Sequence, residues 1–306
     1  MTWKTAIVAG ASVLAAAAIA GCGASKTKPP ALGRSLSLVT VHVQNPGSLS
    51  SLPFETAQKL GFFAQEKLSV QLVDRSAADI QVSRAGRDWP VIGYLSTGPD
   101  IFLLSPVPDP SFRLRALNHL PLVAQQSLAR DERLVAKILA AHHAEISRFS
   151  VLSARRIERL WQHHHLPWVL VNLSELVVLR RINPNTQILS WLGASTGPVP
   201  FVVVSAREHA GARLSRLLAG LNLALWYLNT TPPSVAAAQI SGRPGDSRLI
   251  EILHEARRYH FWPATTFPDE AAFLRRRNVF NPNWPTYFDA VNPTPARQAL
   301  ADSGKK

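Results

Sequence analysis

Strand-like runs alternate with helical patterns along most of this chain, and that alternation is the strongest constraint on its fold. Residues 36–43 alternate apolar with polar side chains and are rich in β-branched residues, which predicts a strand. Residues 212–229 carry leucines three and four positions apart, which predicts an amphipathic helix. Strands that alternate with helices in this way favour an α/β protein with mainly parallel sheets.

The other elements follow from the same two patterns and from the proline and glycine breaks between them. The further predicted strands are 68–73, 89–95, 101–104, 120–124, 168–171 and 201–204. The further predicted helices are one that begins at Ser50 or Ser51 and ends near Gly61, then 130–144, 247–259 and 268–277. No repeat of fixed period accompanies these elements.

The beginning of the chain has the layout of a secretory signal peptide. Lys4 precedes the apolar run 6–20, and small residues lead into Cys22, the single cysteine of the chain. The sequence Ile-Ala-Gly-Cys resembles the lipobox of bacterial lipoproteins, which implies that Cys22 becomes the lipid-modified first residue. We expect residues 1–21 to be removed and residues 22–35 to form a flexible tether. The alternative is an ordinary signal peptide with an incidental cysteine.

The charge balance indicates anionic surroundings. The 306 residues carry a formal net charge of +13, and loss of the signal peptide removes only the charge of Lys4. Nucleic acid, phospholipid headgroups and wall polymers all attract such a chain, but an exported protein does not meet nucleic acid as its ordinary partner. We therefore expect an anionic membrane surface as the neighbour, the alternative being a solvated basic exterior without any partner.

Six stretches, in order along nearly all of the mature chain, resemble solute-binding proteins of ABC transporters. The similar group includes binding proteins for nitrate, sulfonates, taurine and thiamine pyrimidine precursors. The stretches are LPFETAQKLGFFAQEKLSVQLV (52–73), DWPVIGYL (88–95), LPWVLVNLSE (166–175), WLGASTGPVPFVVVSARE (191–208), ALWYLNTTPPSVAAA (224–238) and RYHFWPATTF (257–267).

This resemblance implies a two-lobed α/β fold of the periplasmic-binding-protein type, with two crossings between the lobes near 117–120 and 196–200. Lobe one would comprise 36–117 and 199–306, and lobe two 118–198. The expected function is capture of a small anionic or zwitterionic solute in the interlobe cleft, for delivery to an ABC permease and its ATPase. We expect a monomer on the extracytoplasmic face of the cell membrane, held by the lipid anchor.

The candidate ligand-binding residues lie in loops that follow predicted strands, where backbone amides and helix N-termini favour anions. Phe54 and Trp168 are included as aromatic faces on which a ring-bearing ligand could stack. For the donor-rich loop 44–51, ordinary turn and helix-cap chemistry is an equal alternative. The full set is Asn45, Ser48, Ser50, Phe54, Ser96, Thr97, Gln125, Ser127, Trp168, Asn172, Glu175 and Thr196.

The sequence gives no motif for catalysis, for a cofactor or for a metal. It contains no nucleophile elbow, P-loop, H-E-x-x-H or dinucleotide fingerprint, so we expect a protein that is not an enzyme. The histidines at 142–143 and 163–165 lack spaced carboxylate or cysteine partners, which favours a solvated helix end over a metal site. The alternative function is a degenerate lipoprotein that keeps the fold and docks a partner in the cell envelope.

Overall fold

A computed structural model of the chain describes residues 36–44, 48–84, 89–195, 197–207, 211–280 and 286–303. The predicted signal peptide, the tether and Cys22 lie outside these residues, as do Asn45 and Thr196. No helix among the described residues is long and apolar enough to cross a membrane.

Among the described residues, ten strands form two sheets of five. The strands are β1 (Ser37–Val43), β2 (Leu68–Leu72), β3 (Ile80–Ser83), β4 (Val91–Tyr94), β5 (Phe102–Ser105), β6 (Pro121–Gln125), β7 (Arg148–Leu152), β8 (Val169–Val171), β9 (Gln187–Trp191) and β10 (Val203–Ala206). The first sheet has the order β2-β1-β3-β10-β4, and the second has the order β7-β6-β8-β5-β9.

Helices cover both sheets. They are α1 (Leu52–Lys59), α2 (Phe62–Gln65), α3 (Glu132–Ala141), α4 (Ala154–Gln162), α5 (Leu173–Ile182), α6 (Leu192–Ser195), α7 (Gly211–Thr230), α8 (Pro233–Ser241), α9 (Ser247–Arg258), α10 (Glu270–Phe280), α11 (Tyr287–Ala290) and α12 (Thr294–Ser303). Short 3₁₀ turns occur at Arg75–Ala77, Leu114–Leu117 and Gln126–Asp131.

The two sheets repeat one topology. In the first sheet β1 is parallel to β2 and β3, whereas β10 is antiparallel to both of its neighbours. In the second sheet β6 is parallel to β7 and β8, and β5 is antiparallel to both of its neighbours. Each sheet therefore has four strands in one direction and one reversed strand in the fourth position. The predicted α/β class is confirmed, but among the described strands four pairings are parallel and four are antiparallel, so the sheets are mixed rather than mainly parallel.

The chain changes sheets earlier than predicted. The apolar run of β5 pairs with β8 and β9, so the first passage between sheets lies at 95–101 rather than near 117–120. The return passage lies between β9 and β10, at 192–202, a span that contains the predicted return at 196–200. The strand pattern identified β5 but could not show which sheet it joins, because partner choice depends on residues far along the chain. The boundaries of the two lobes stay a prediction.

The core is divided along the faces of the second sheet. Phe102 and Leu104 face one cluster with α4, α5, α8 and α9, while the intervening Leu103 faces the larger cluster shared with the first sheet. This alternation is the ordinary period of a strand buried on both faces. Helix α9 packs against α5, and α8 packs against α9, so both helices belong to the cluster on this face of the second sheet.

Helix α7 links the two clusters. Its leucines from Leu214 to Leu221 pack with β1 and α1, and its later Leu225 and Leu228 pack with the second sheet. After α9 the chain returns to the first sheet, where the carbonyl of Thr266 accepts from the Tyr94 amide at 3.0 Å.

Candidate functional site

The carboxyl ends of parallel strands from the two sheets come together at one place, which we call the strand-end cleft. On the first-sheet side it consists of Gln44 after β1, the turn 48–51 and Arg84 after β3. On the second-sheet side it consists of Gln125 at the end of β6, the 3₁₀ turn Gln126–Asp131 and Asn172 after β8. Ligands of α/β proteins bind at such edges, because loops and helix N-termini present free polar groups there.

An ion pair closes the strand-end cleft. Nη1 of Arg84 lies 2.9 Å and 2.7 Å from the two carboxylate oxygens of Asp131. The guanidinium also lies 5.0 Å from the centre of the Phe201 ring, in cation–π geometry. A cavity of ≈ 10 Å³ remains beside Arg84 on the first-sheet side, lined by Val43, Gln44, Ser48, Ser50, Ser51, Val82, Ser83, Arg84 and Val202.

A second carboxylate lies behind this pair. Asp100 is buried and its Oδ1 accepts from the Leu173 amide, at the N-terminus of α5, over 2.8 Å. Burial raises the pKa of Asp100 to about 6, while Arg84 opposes that shift and Asp131 adds to it. Arg84 therefore interacts electrostatically with both Asp131 and Asp100.

Four of the predicted residues form one hydrogen-bond network on the second-sheet side. Gln125 accepts from the Asn172 amide over 3.2 Å and donates to Glu175 over 3.3 Å. The Asn172 side chain accepts from the Glu175 amide at 2.9 Å and donates to Ser127 at 3.4 Å. Burial raises the pKa of the Glu175 carboxyl, and Glu158 adds to that shift. The side-chain amides of Gln125 and Asn172 therefore hydrogen-bond to other groups of the protein in this conformation.

The turn before α1 holds the predicted serines beside the cavity. Ser48 and Ser50 both line it. Ser51 occupies the N-cap position of α1 without capping a backbone amide. Its hydroxyl oxygen instead lies 2.9 Å from the Ser48 carbonyl oxygen and 2.8 Å from a Glu55 carboxylate oxygen, and these two acceptors share its one proton. Turn chemistry and cavity lining therefore coexist in this segment, as the two interpretations of its sequence allowed.

Ser96 and Thr97 lie in the first passage between the sheets. Their hydroxyl groups hydrogen-bond to the return passage and to the segment after α9. The Ser96 hydroxyl accepts from the Val202 amide at 3.1 Å. The Thr97 hydroxyl oxygen lies 2.7 Å and 3.1 Å from the carbonyl oxygens of His260 and Phe261, and these two acceptors share its one proton. Side chains engaged in this way join the connecting segments rather than face the cavity.

The two predicted aromatic residues do not reach the strand-end cleft. Phe54 is fully buried and packs on Phe63 with ring centres 5.2 Å apart. Trp168 precedes β8, at the edge of the sheet opposite Asn172, and its ring lies 6.4 Å from that of Phe112. Neither ring is placed to stack on a ligand in the strand-end cleft.

Sequence reasoning missed Arg84, Asp100 and Asp131. Arg84 follows the four-residue strand β3, whose Ile-Gln-Val-Ser alternation is a weak but usable strand signal. The partner Asp131 is 47 positions away in the chain, so no local pattern connects the two. Among the described residues, no three histidine, cysteine or acidic side chains gather as metal ligands would.

No protein-family model matches the sequence, and no curated protein matches it. Among solved structures, the periplasmic aliphatic sulphonate binding protein SsuA from Escherichia coli is 12% identical, with a TM-score of 0.61 over 85% of this chain and 91% of that chain. The ligand-binding component of an ABC-type import system from Staphylococcus aureus is 9% identical, with a TM-score of 0.59 over 86% and 99% of the two chains. The desulfurization enzyme DSZB is 12% identical, with a TM-score of 0.55 over 87% and 99%.

At these identities the likeness concerns the fold, which binding proteins and an enzyme share. Another similar structure, from Candida albicans with a TM-score of 0.52, is itself described as having the generic periplasmic binding protein fold. The repeated strand order and the strand-end cleft are features of this chain that agree with that architecture. The chain has the two-sheet α/β fold of the periplasmic binding proteins, the fold also found in solute-binding components of ABC-type importers.

Proposed function

We propose that this chain is an extracytoplasmic solute-binding lipoprotein of an ABC importer. It captures a small anionic or zwitterionic solute, of the sulfonate or nitrate kind or a thiamine precursor, in the strand-end cleft. A permease and its ATPase receive the solute, and the protein itself catalyses no reaction. The proposal rests on the fold shared with named binding proteins and on the export signal in the sequence.

The observation that carries the proposal is the meeting of strand ends from both sheets around a cation. Ser48, Ser50 and Ser127 supply hydroxyl groups at this place, and Arg84 supplies a positive charge. Polar donors beside a cation suit an oxyanion, whose charge each of them stabilises. Asn45 and Thr196 stay predictions as further contacts.

Membrane attachment through Cys22 is part of this proposal. The small residues before the cysteine and the basic tether support it. Intact-mass analysis of membrane-extracted protein should show loss of residues 1–21 and added acyl mass. A Cys22→Ser protein that remains equally membrane-bound would contradict the anchor.

A thermal-shift screen of the mature protein tests the binding function. The screen compares alkanesulfonates, taurine, nitrate and thiamine-pyrimidine precursors with neutral compounds of similar size. A ligand at about one hundred times its dissociation constant should stabilise the protein by roughly 2.7 kcal/mol. A folded protein whose melting temperature is unchanged by every compound would refute the proposal.

One observation favours the second candidate, a partner-docking envelope protein. The cavity of ≈ 10 Å³ is about the space that a single water molecule needs, so the cavity beside Arg84 admits no solute in this conformation. A docking protein that has lost its ligand would keep such a closed cleft under all conditions. Failure of the screen would therefore favour this candidate.

A further inference from the structure

The Arg84–Asp131 pair joins elements that belong to different sheets. Arg84 directly follows β3 of the first sheet, and Asp131 ends the 3₁₀ turn that follows β6 of the second. The Asp131 side chain is 9% exposed and that of Arg84 is 30% exposed, so water reaches the cation more readily than the acid. Widening of the strand-end cleft must break this contact, because its two halves lie on opposite sides.

The Asp131 carboxylate makes the contact that an acidic solute would make. Both of its oxygens lie within 2.9 Å of one guanidinium nitrogen. Sulfonates and carboxylates also present two or more oxygens to an arginine, with charge-assisted bonds of similar length. Phe201 lies against the guanidinium and belongs to the first-sheet side through the bond of its amide to Ser96. It therefore holds the cation in place when Asp131 moves away.

From this geometry we propose that Arg84 receives the acidic group of the solute, and that Asp131 is an internal carboxylate which the solute displaces when the cleft opens. The proposal rests on the proposed function and names the group that selects the ligand. The cleft therefore selects a solute by its negative charge, because a neutral solute cannot replace the ion pair that Arg84 loses when Asp131 moves away. The ligand class is then a small sulfonate or carboxylate.

The test compares the mature wild-type chain with three variants. Asp131→Asn and Arg84→Gln each break the pair from one side, while Glu132→Gln removes the same charge from the neighbouring, exposed position as the matched control. Circular dichroism first confirms that each protein is folded. Small-angle scattering without solute then reports opening, and calorimetry with methanesulfonate, against neutral methanesulfonamide, reports binding.

We expect the two pair-breaking variants to have a larger radius of gyration than wild type and Glu132→Gln. Their affinities should change in opposite directions. Asp131→Asn should bind methanesulfonate at least tenfold more tightly than wild type, because the competing carboxylate is gone. Arg84→Gln should show no binding, and no protein should bind methanesulfonamide. If the pair had a purely structural role, the affinity for methanesulfonate would change in the same direction in both variants.

Three results would overturn the inference or part of it, and the binding results separate it from the proposed function. Methanesulfonate binding that is equal in Asp131→Asn and Glu132→Gln would refute the roles of Arg84 and Asp131 while leaving solute binding intact. Absence of binding by every protein, even with an open Asp131→Asn cleft, would overturn the proposed function together with the ligand role of Arg84. Identical scattering of all folded proteins would show that the pair does not hold the cleft closed. One folded pair-breaking variant is enough for this comparison.

Discussion

Buried acids give the strand-end cleft its electrostatic character. Burial disfavours the charged form of Asp100, and the negative charge of the nearby Asp131 disfavours it further. The bond from the Leu173 amide and the charge of Arg84 act in the opposite direction, and burial still exceeds them. The native protein therefore binds a proton at Asp100 more tightly than the unfolded chain does.

This difference predicts a pH dependence of stability. The pKa of Asp100 rises from 3.8 to about 6 on folding. Protonated Asp100 therefore stabilises the folded protein fully at a pH below 3.8, and this stabilisation is lost as the pH rises through about 6. Lowering the pH from about 7.5 to about 5 should raise the free energy of unfolding by about 1 kcal/mol from this group.

Asp100→Asn keeps an oxygen that can accept from the Leu173 amide but cannot titrate. Urea titrations of both proteins across this pH range isolate the contribution of Asp100 as the difference between them. Parallel curves for wild type and Asp100→Asn would contradict the assigned pKa.

At the scale of the element, α5 shows how a predicted binding residue can have a structural function. Asn172 is the N-cap of this helix, and its side chain accepts from the Glu175 amide. Glu175 stands three positions later, as in a capping box, although its carboxylate accepts from Gln125 instead of reaching back to the cap. The network therefore fixes the beginning of α5 at the edge of the cleft.

The cap makes a prediction about Asn172. Asn172→Ala should lower the free energy of unfolding by about 1 kcal/mol, because the Glu175 amide loses its acceptor. Asn172→Ser should recover most of that loss, since a serine hydroxyl also caps a helix. Ser174→Ala, within the first turn of the same helix, is the control. Chemical denaturation measures the free energy of unfolding of all three variants. Equal values for Asn172→Ala and wild type would contradict the role of Asn172 as a helix cap.

Local patterns in the sequence predict several elements of the fold. The alternation in β1 and the leucine spacing in α7 are local signals, and both elements form close to their predicted bounds. The sequence analysis missed the strands β3, β7 and β9 and the helices α4, α5 and α12. Length does not explain this, because the three-residue β8 and the four-residue β5 were predicted. The placement of β5 and the contact between Arg84 and Asp131 depend on residues that only the folded chain brings together.

At the scale of the whole molecule, helix α7 joins the two larger hydrophobic clusters, and the segments that pass between the sheets hydrogen-bond to one another. Ser96 and Thr97 bind the return passage and the segment after α9, so the connections between the sheets form one hydrogen-bonded unit. The ion pair between Arg84 and Asp131 lies apart from these bonds, at the strand ends. This arrangement suits hinge opening, in which connecting segments absorb the motion and the sheets stay intact.

A second concavity provides an alternative place for an anion. It has a volume of ≈ 580 Å³, and its lining includes Arg113, Arg115 and His142. Its lining residues differ from those of the cavity beside Arg84, and the Arg113 guanidinium already donates to the Phe112 carbonyl at 2.8 Å. A solute bound there would contact none of the residues that define the cleft.

Hydrogen exchange with a solute identified by thermal shift tests the central claim most directly, because it reports where the solute binds. If the strand-end cleft is the binding site, saturating solute should slow exchange in the turn 48–51 and in the 3₁₀ turn Gln126–Asp131. Exchange near Arg113 and His142 should stay unchanged. Protection confined to the segments around Arg113 and His142, with none in the two turns, would contradict the account.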